Sequence, residues 1–225
     1  AVFSAGSSLE GTGTIATKGW CFDTDLVIAQ ASDLQHQVVL NDLPGQNVTV
    51  DIDLSTGEGR IGIAYNGTAS MTIQNGMTLT SNRGYIAYRT GSNGSATVTG
   101  SGSTWDDTSD YFQVGFQGDG TLLVEKGGLV TSTGYGYIGQ NPVSNGTVTV
   151  TGSSSEFAMT SSYLLVGSEG DATLNILDGG TVTCGSWVAV SYYGTSTTNV
   201  TVDGIGSTWT MADQFQMGRN GTATM

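Results

Sequence analysis

The sequence predicts an all-β fold, a right-handed parallel β-helix (solenoid) with about 26 residues per turn and a 52-residue two-turn sequence repeat. Three observations carry this expectation. Gly76, Gly128 and Gly180 lie 52 residues apart, and so do Ile86, Ile138 and Val190; Val98, Val150 and Val202; Gly100, Gly152 and Gly204; and Trp105, Phe157 and Trp209. An internal period of this size marks stacked structural units. Within a block, the Val/Ile-Gly marks at Val114, Ile138 and Val166 fall 24 and 28 residues apart, so two unequal turns make one block. Finally, apolar and polar residues alternate over short runs, as in Val148-Thr149-Val150 and Val200-Thr201-Val202. Period 2 bounded by Gly, Asn, Asp and Ser is the pattern of a half-buried strand. No helix-length segment stands between these strands to serve as a βαβ crossover. A propeller blade would need four antiparallel strands with hairpin turns, more than each block supplies.

Along the chain, residues 1–60 read as an N-terminal cap and irregular first turns, because a solenoid end must shield its open edge from water and from other chains. Strand-like runs persist there at Leu26-Val27-Ile28, Val38-Val39-Leu40 and Val48 to Leu54. Residues 61–225 form the regular repeats. Matching residues then stack as ladders, with Ile86, Ile138 and Val190 inside, and glycines of equal phase mark corners that need positive φ or close backbone approach. The last residues, Asn220 to Met225, match the strand Asn66 to Met71, as though the solenoid continued or presented an open end.

Composition narrows the function. There are 6 Lys+Arg against 19 Asp+Glu, a net charge of −13, and only 11% charged residues. Scattered basic residues on an acidic chain argue against a nucleic-acid partner, which requires clustered Lys or Arg. No apolar run reaches the roughly 18 residues of a membrane helix, so no direct membrane insertion is expected. Ala1-Val2-Phe3-Ser4-Ala5 suits the mature start left by signal-peptide cleavage. Two cysteines, Cys21 and Cys184, lie about six turns apart, roughly 30 Å at the spacing of stacked strands. That separation far exceeds the ~7 Å limit for a bridge, so both should be free thiols.

The phrases Thr97 to Trp105 and Asn199 to Trp209, with Leu165-Val166-Gly167 and Gly179-Gly180-Thr181-Val182, resemble the passenger repeats of bacterial autotransporter-type surface adhesins. The resemblance covers about residues 61–225 and includes no catalytic motif. It implies a secreted β-helical stalk at the cell surface, attached to the outer membrane in an autotransporter, and used in adhesion, self-association or biofilm formation. A structural subunit of an extracellular filament or surface layer is the alternative. A polysaccharide-active β-helix enzyme is the third.

Candidate chemistry is sparse, and no catalytic, cofactor-binding or metal-binding residue is assigned. Asp51 and Asp53 share a strand face about 6.5 Å apart, near a glycosidase spacing. Asp106, Asp107 and Asp110 form a second cluster, yet neither set recurs, since Ala158 and Met159 replace Asp106 and Asp107 one block later. Solvated strand faces explain both. His36, the single histidine, has no serine or cysteine constellation around it. Gly118-Asp119-Gly120 and Glu169-Gly170-Asp171 could offer oxygens to calcium, but Asp and Gly also simply make turns. Six N-x-S/T sequons, at Asn47, Asn66, Asn93, Asn145, Asn199 and Asn220, are mostly Asn-Gly turns. The best binding candidate is an aromatic stripe, Tyr85, Tyr88, Tyr135, Tyr137, Trp187, Tyr192 and Tyr193, clustered near one phase of successive blocks. Exposed Tyr and Trp beside polar groups suit a sugar ring or a protein partner. The expected partners are accordingly a second copy of the chain or a cell-surface glycan or protein.

Overall fold

The computed structural model describes residues 2–3, 14–17, 19–23, 25–28, 37–40, 48–52, 59–194 and 196–225. Among them there is no helix, and parallel strands stack into a β-solenoid of about six turns. The most regular face is an eight-stranded parallel sheet, and the other strands of the coil belong to a 13-stranded sheet. The regular members of the eight-stranded sheet are Thr68–Ile73, Asn93–Thr99, Asp119–Glu125, Asn145–Thr151, Asp171–Leu177 and Thr197–Asp203. Asn93 pairs with Asp119, Asp119 with Asn145 and Asn145 with Asp171, so the central steps of this face are 26 residues, and the steps from Thr68 to Asn93 and from Thr197 to Thr222 are 25.

Two shorter faces complete each turn. One stacks Leu129–Ser132, Glu156–Met159, Thr181–Cys184 and Thr208–Met211; the other stacks Tyr135–Ile138, Leu164–Val166, Val188–Val190 and Phe215–Met217. The 11-residue strand Thr104–Val114 serves both, and its register shifts between Asp107 and Tyr111. The 24- and 28-residue steps arise at one corner. Four residues separate Val114 from Asp119 and Val166 from Asp171, whereas six separate Ile138 from Asn145 and Val190 from Thr197. From Asn93 to Asp203 this sheet therefore keeps a constant step while short and long corners alternate.

The interior is a set of apolar ladders. Ile86, Val114, Ile138, Val166 and Val190 pair in sequence and are all buried, as the repeat predicts. In a neighbouring ladder Trp105, Val130, Phe157 and Val182 alternate large with small, which makes the sequence period two turns instead of one. Trp105 meets Phe112 of its own turn edge-on, with centroids 4.9 Å apart. Space for this pair comes from Gly84 on the turn before, where a Cβ would sit 2.8 Å from the Phe112 ring and 3.0 Å from Trp105. The corner glycines divide into two kinds. Gly76 has φ +74°, while Gly128 and Gly180 are needed because a Cβ would strike the carbonyls of Val98 and Val150.

Near the N-terminus the strands Val2–Phe3 and Trp20–Phe22 add parallel rungs to the coil. A separate three-stranded sheet, Thr14–Thr17, Val48–Ile52 and Gln37–Leu40, holds an antiparallel pair. Cys21 and Cys184 are free thiols on strands six rungs apart, each with its pKa pushed up by burial.

Candidate binding face

The outer side of the Tyr135–Ile138 stack is built from aromatic residues brought into register by the parallel pairing. Tyr111 pairs with Tyr135, and the residues preceding Leu164 and Val188 continue the column as Tyr163 and Trp187. Ring centroids are 5.6 Å apart for Tyr111–Tyr135, 4.6 Å for Tyr135–Tyr163 and 4.7 Å for Tyr163–Trp187. Trp187 then reaches across to Tyr192 at 5.5 Å, and Tyr192 meets Tyr193 edge-on at 4.3 Å. A second group lies toward the N-terminus, where Tyr65 and Tyr88 stack at 5.2 Å and Arg89 lies 5.1 Å from the Tyr65 centroid.

Of the seven residues expected to form one exposed stripe, Tyr135, Tyr137, Trp187, Tyr192 and Tyr193 belong to the first group and Tyr85 and Tyr88 to the second. Tyr135 and Tyr193 are exposed, at 40% and 47%, and Tyr88, Tyr137, Trp187 and Tyr192 are half-buried. Tyr85 departs from the expectation. It is only 7% exposed, covered by Tyr88 and Phe116 with centroids 5.1 and 5.8 Å away. Sequence reasoning missed Tyr111 and Tyr163, which bridge the first group. The signal was present, because these two are themselves one 52-residue repeat apart.

A cleft of about 250 Å³ opens on this face, lined by Tyr137, Tyr163, Leu165, Trp187, Tyr192 and Tyr193 together with Gln140, Asn141, Ser168 and Glu169. It exists because the columns flanking it differ in size. Leu165 and Ala189 follow Tyr137 in one column, and in the next, small Ser168 falls between Gln140 and Tyr192. The hydroxyls of Tyr137 and Tyr163 share a hydrogen bond of 2.6 Å. Burial, then this bond, pushes the Tyr137 phenol well above its ordinary range, and burial also raises Tyr163. Both phenols therefore stay neutral near pH 7 and act as hydrogen-bonding groups. Glu169 is the one charged residue of the lining and is exposed. Arg219 donates to the Tyr192 hydroxyl and holds its guanidinium 4.7 Å from that ring's centroid.

The carboxylates do not converge. Asp110 pairs with Arg83, and Asp106 accepts from the Thr131 hydroxyl at 2.7 Å. Asp107 overturns the expectation of a solvated cluster: it is fully buried, accepting from Ser81 at 3.1 Å and Ser132 at 2.8 Å. The cause is strand parity, since Asp107 shares the inward face with Trp105, whose indole N–H donates to Ser81 at 3.0 Å. Desolvation pushes the Asp107 carboxyl up to about 7 despite the serine donors. Asp51 lies on the strand Val48–Ile52, while Asp53 and His36 fall outside the described residues.

Asp119 and Asp171 border a separate depression with Glu169. The Asp171 carboxylate accepts the Thr197 backbone N–H at 2.7 Å, a bond that ties one rung of the coil to the next. Among the described residues, no group of three or more His, Cys, Asp or Glu is arranged to hold a metal ion.

Fold and face together define a parallel β-solenoid carrying an aromatic lateral surface. No protein-family model, curated protein or solved structure matches the chain.

Proposed function

We propose that the chain is a non-enzymatic β-helical stalk of a secreted bacterial surface protein, acting at the cell surface in adhesion or self-association. The observation that carries this reading is the aromatic lateral face, a column running Tyr111, Tyr135, Tyr163 and Trp187 over successive turns of a stiff coil. An aromatic surface beside hydroxyls and amides suits contact with glycans or proteins, because rings present apolar area at little entropic cost. The resemblance of the repeat phrases to autotransporter-type adhesins supports the same reading.

Beads coated with the chain test it, scored for clumping with one another and for retention on bacterial and epithelial cells. Tyr135→Ser with Tyr193→Ser changes the two most exposed rings of the aromatic face and should abolish whichever contact occurs while the chain stays folded, as read by its β-sheet circular dichroism. Coated beads that neither clump nor adhere would refute an adhesive role. Release of reducing or unsaturated sugar ends from polysaccharides would refute the non-enzymatic one.

A further inference from the structure

We infer that the cleft lined by Tyr137, Trp187, Tyr192 and Glu169 is a binding site for one neutral sugar residue of a glycan chain, a ligand class that deepens and rests on the adhesive reading above. Size comes first. At about 250 Å³ the cleft is smaller than the roughly 300–1,000 Å³ that encloses a drug-sized compound, so it suits a single ring. It opens onto a lateral face, which leaves room for the rest of a chain to run along the solenoid.

Lining chemistry comes second. Tyr163, Trp187, Tyr192 and Tyr193 supply carbon-rich walls, with Trp187 and Tyr192 inclined at 45° to each other, and Leu165 adds an aliphatic contact. A pyranose presents C–H groups on its faces and hydroxyls at its edge, and this lining has both complements. Gln140 accepts from the Gln113 amide and Asn141 donates to the Phe116 carbonyl at 2.6 Å. These bonds fix both amides while leaving the Gln140 amide N–H and the Asn141 carbonyl oxygen to meet hydroxyls. The Glu169 carboxylate can accept from two neighbouring hydroxyls.

Charge decides between ligand classes. The Glu169 carboxylate, on a chain of net charge −13, disfavours sulfated or uronic sugars. A quaternary ammonium is the competing class, because the Glu169 carboxylate would attract it, but it would leave the Gln140 and Asn141 amides without a partner. A neutral sugar satisfies the amides and carboxylate without opposing either charge.

The test is saturation-transfer NMR on the whole chain with the methyl glycosides of glucose, galactose, mannose and N-acetylglucosamine, and with choline, each alone. Expected is saturation of the ring protons of at least one glycoside and none for choline. Trp187→Ala should weaken that binding about tenfold, the cost of one aromatic wall. Glu169→Gln, at an exposed position, should weaken it several-fold with the melting temperature unchanged, so the result does not depend on how Trp187→Ala folds. Saturation of choline alone, of no probe at all, or of a glycoside whose affinity ignores Glu169→Gln would overturn the assignment. The bead assay separates the two claims: adhesion without glycoside binding removes the sugar site and leaves the adhesive role, whereas loss of both removes both.

Discussion

Asp107 is the residue whose environment most changes how the protein should respond to its medium. Its folded-state pKa of about 7 lies above the ordinary 3.8, so the folded chain binds the proton more tightly than the unfolded chain. Stability therefore falls as pH rises, with this contribution complete below about 3.8 and lost by about 7. The full swing is on the order of 4 kcal/mol at about 1.4 kcal/mol per pKa unit. Asp107→Asn keeps the shape and removes the charge. Chemical denaturation from pH 4 to 8 should show the parent losing stability relative to the variant across that window, with the variant the more stable above pH 7. A constant difference would place the carboxylate in solvent. The burial was legible in principle, since period 2 from Trp105 puts Asp107 indoors. It was hidden because three aspartates in six residues look like a surface loop when read by composition. Tyr85 failed in the opposite direction, because its phase was right but Tyr88 at the adjacent corner and Phe116 one turn on cover it.

At the level of elements, the strands were readable because ladders of like residues at fixed spacing leave little choice of register. The unequal half-repeats were readable as numbers but not as structure. Only the pairing shows that the eight-stranded face steps by 26 residues from Asn93 to Asp203 while alternate corners take four or six. The fit of Trp105 and Phe112 against Gly84 yields a direct prediction. Gly84→Ala places a methyl against two rigid rings and should cost about 1–3 kcal/mol, as overpacked cores do. Combining it with Phe112→Leu should cost less than the sum of the two single changes, because the smaller side chain vacates the space the methyl needs. Denaturation midpoints of the three variants provide the measurement, and strict additivity would mean the rings relax away from Gly84.

For the molecule as a whole, charge sets the terms of association. With a net charge of −13, two copies repel at low ionic strength, and salt screens that repulsion within a Debye length of about 10 Å at 0.1 M. If the aromatic face self-associates, sedimentation coefficients should rise as NaCl goes from about 20 to 300 mM, and Tyr135→Ser with Tyr193→Ser should flatten the curve. A falling coefficient would point to ionic contacts instead. The cleft itself was not legible from sequence. It depends on Ser168 being small exactly where its column neighbours are large, a relation among three turns that no local pattern displays. The stacking also has a mechanical side. Hydrogen bonds between rungs lie along the coil axis, so a load applied to the two ends should unwind the protein one terminal rung at a time. Each 26-residue rung then pays out roughly 90 Å of slack at about 3.5 Å per residue. Pulled by its ends in a force spectrometer, the chain should lengthen in steps of that size, behaving as a tether that yields gradually under drag and rewinds when the load is released.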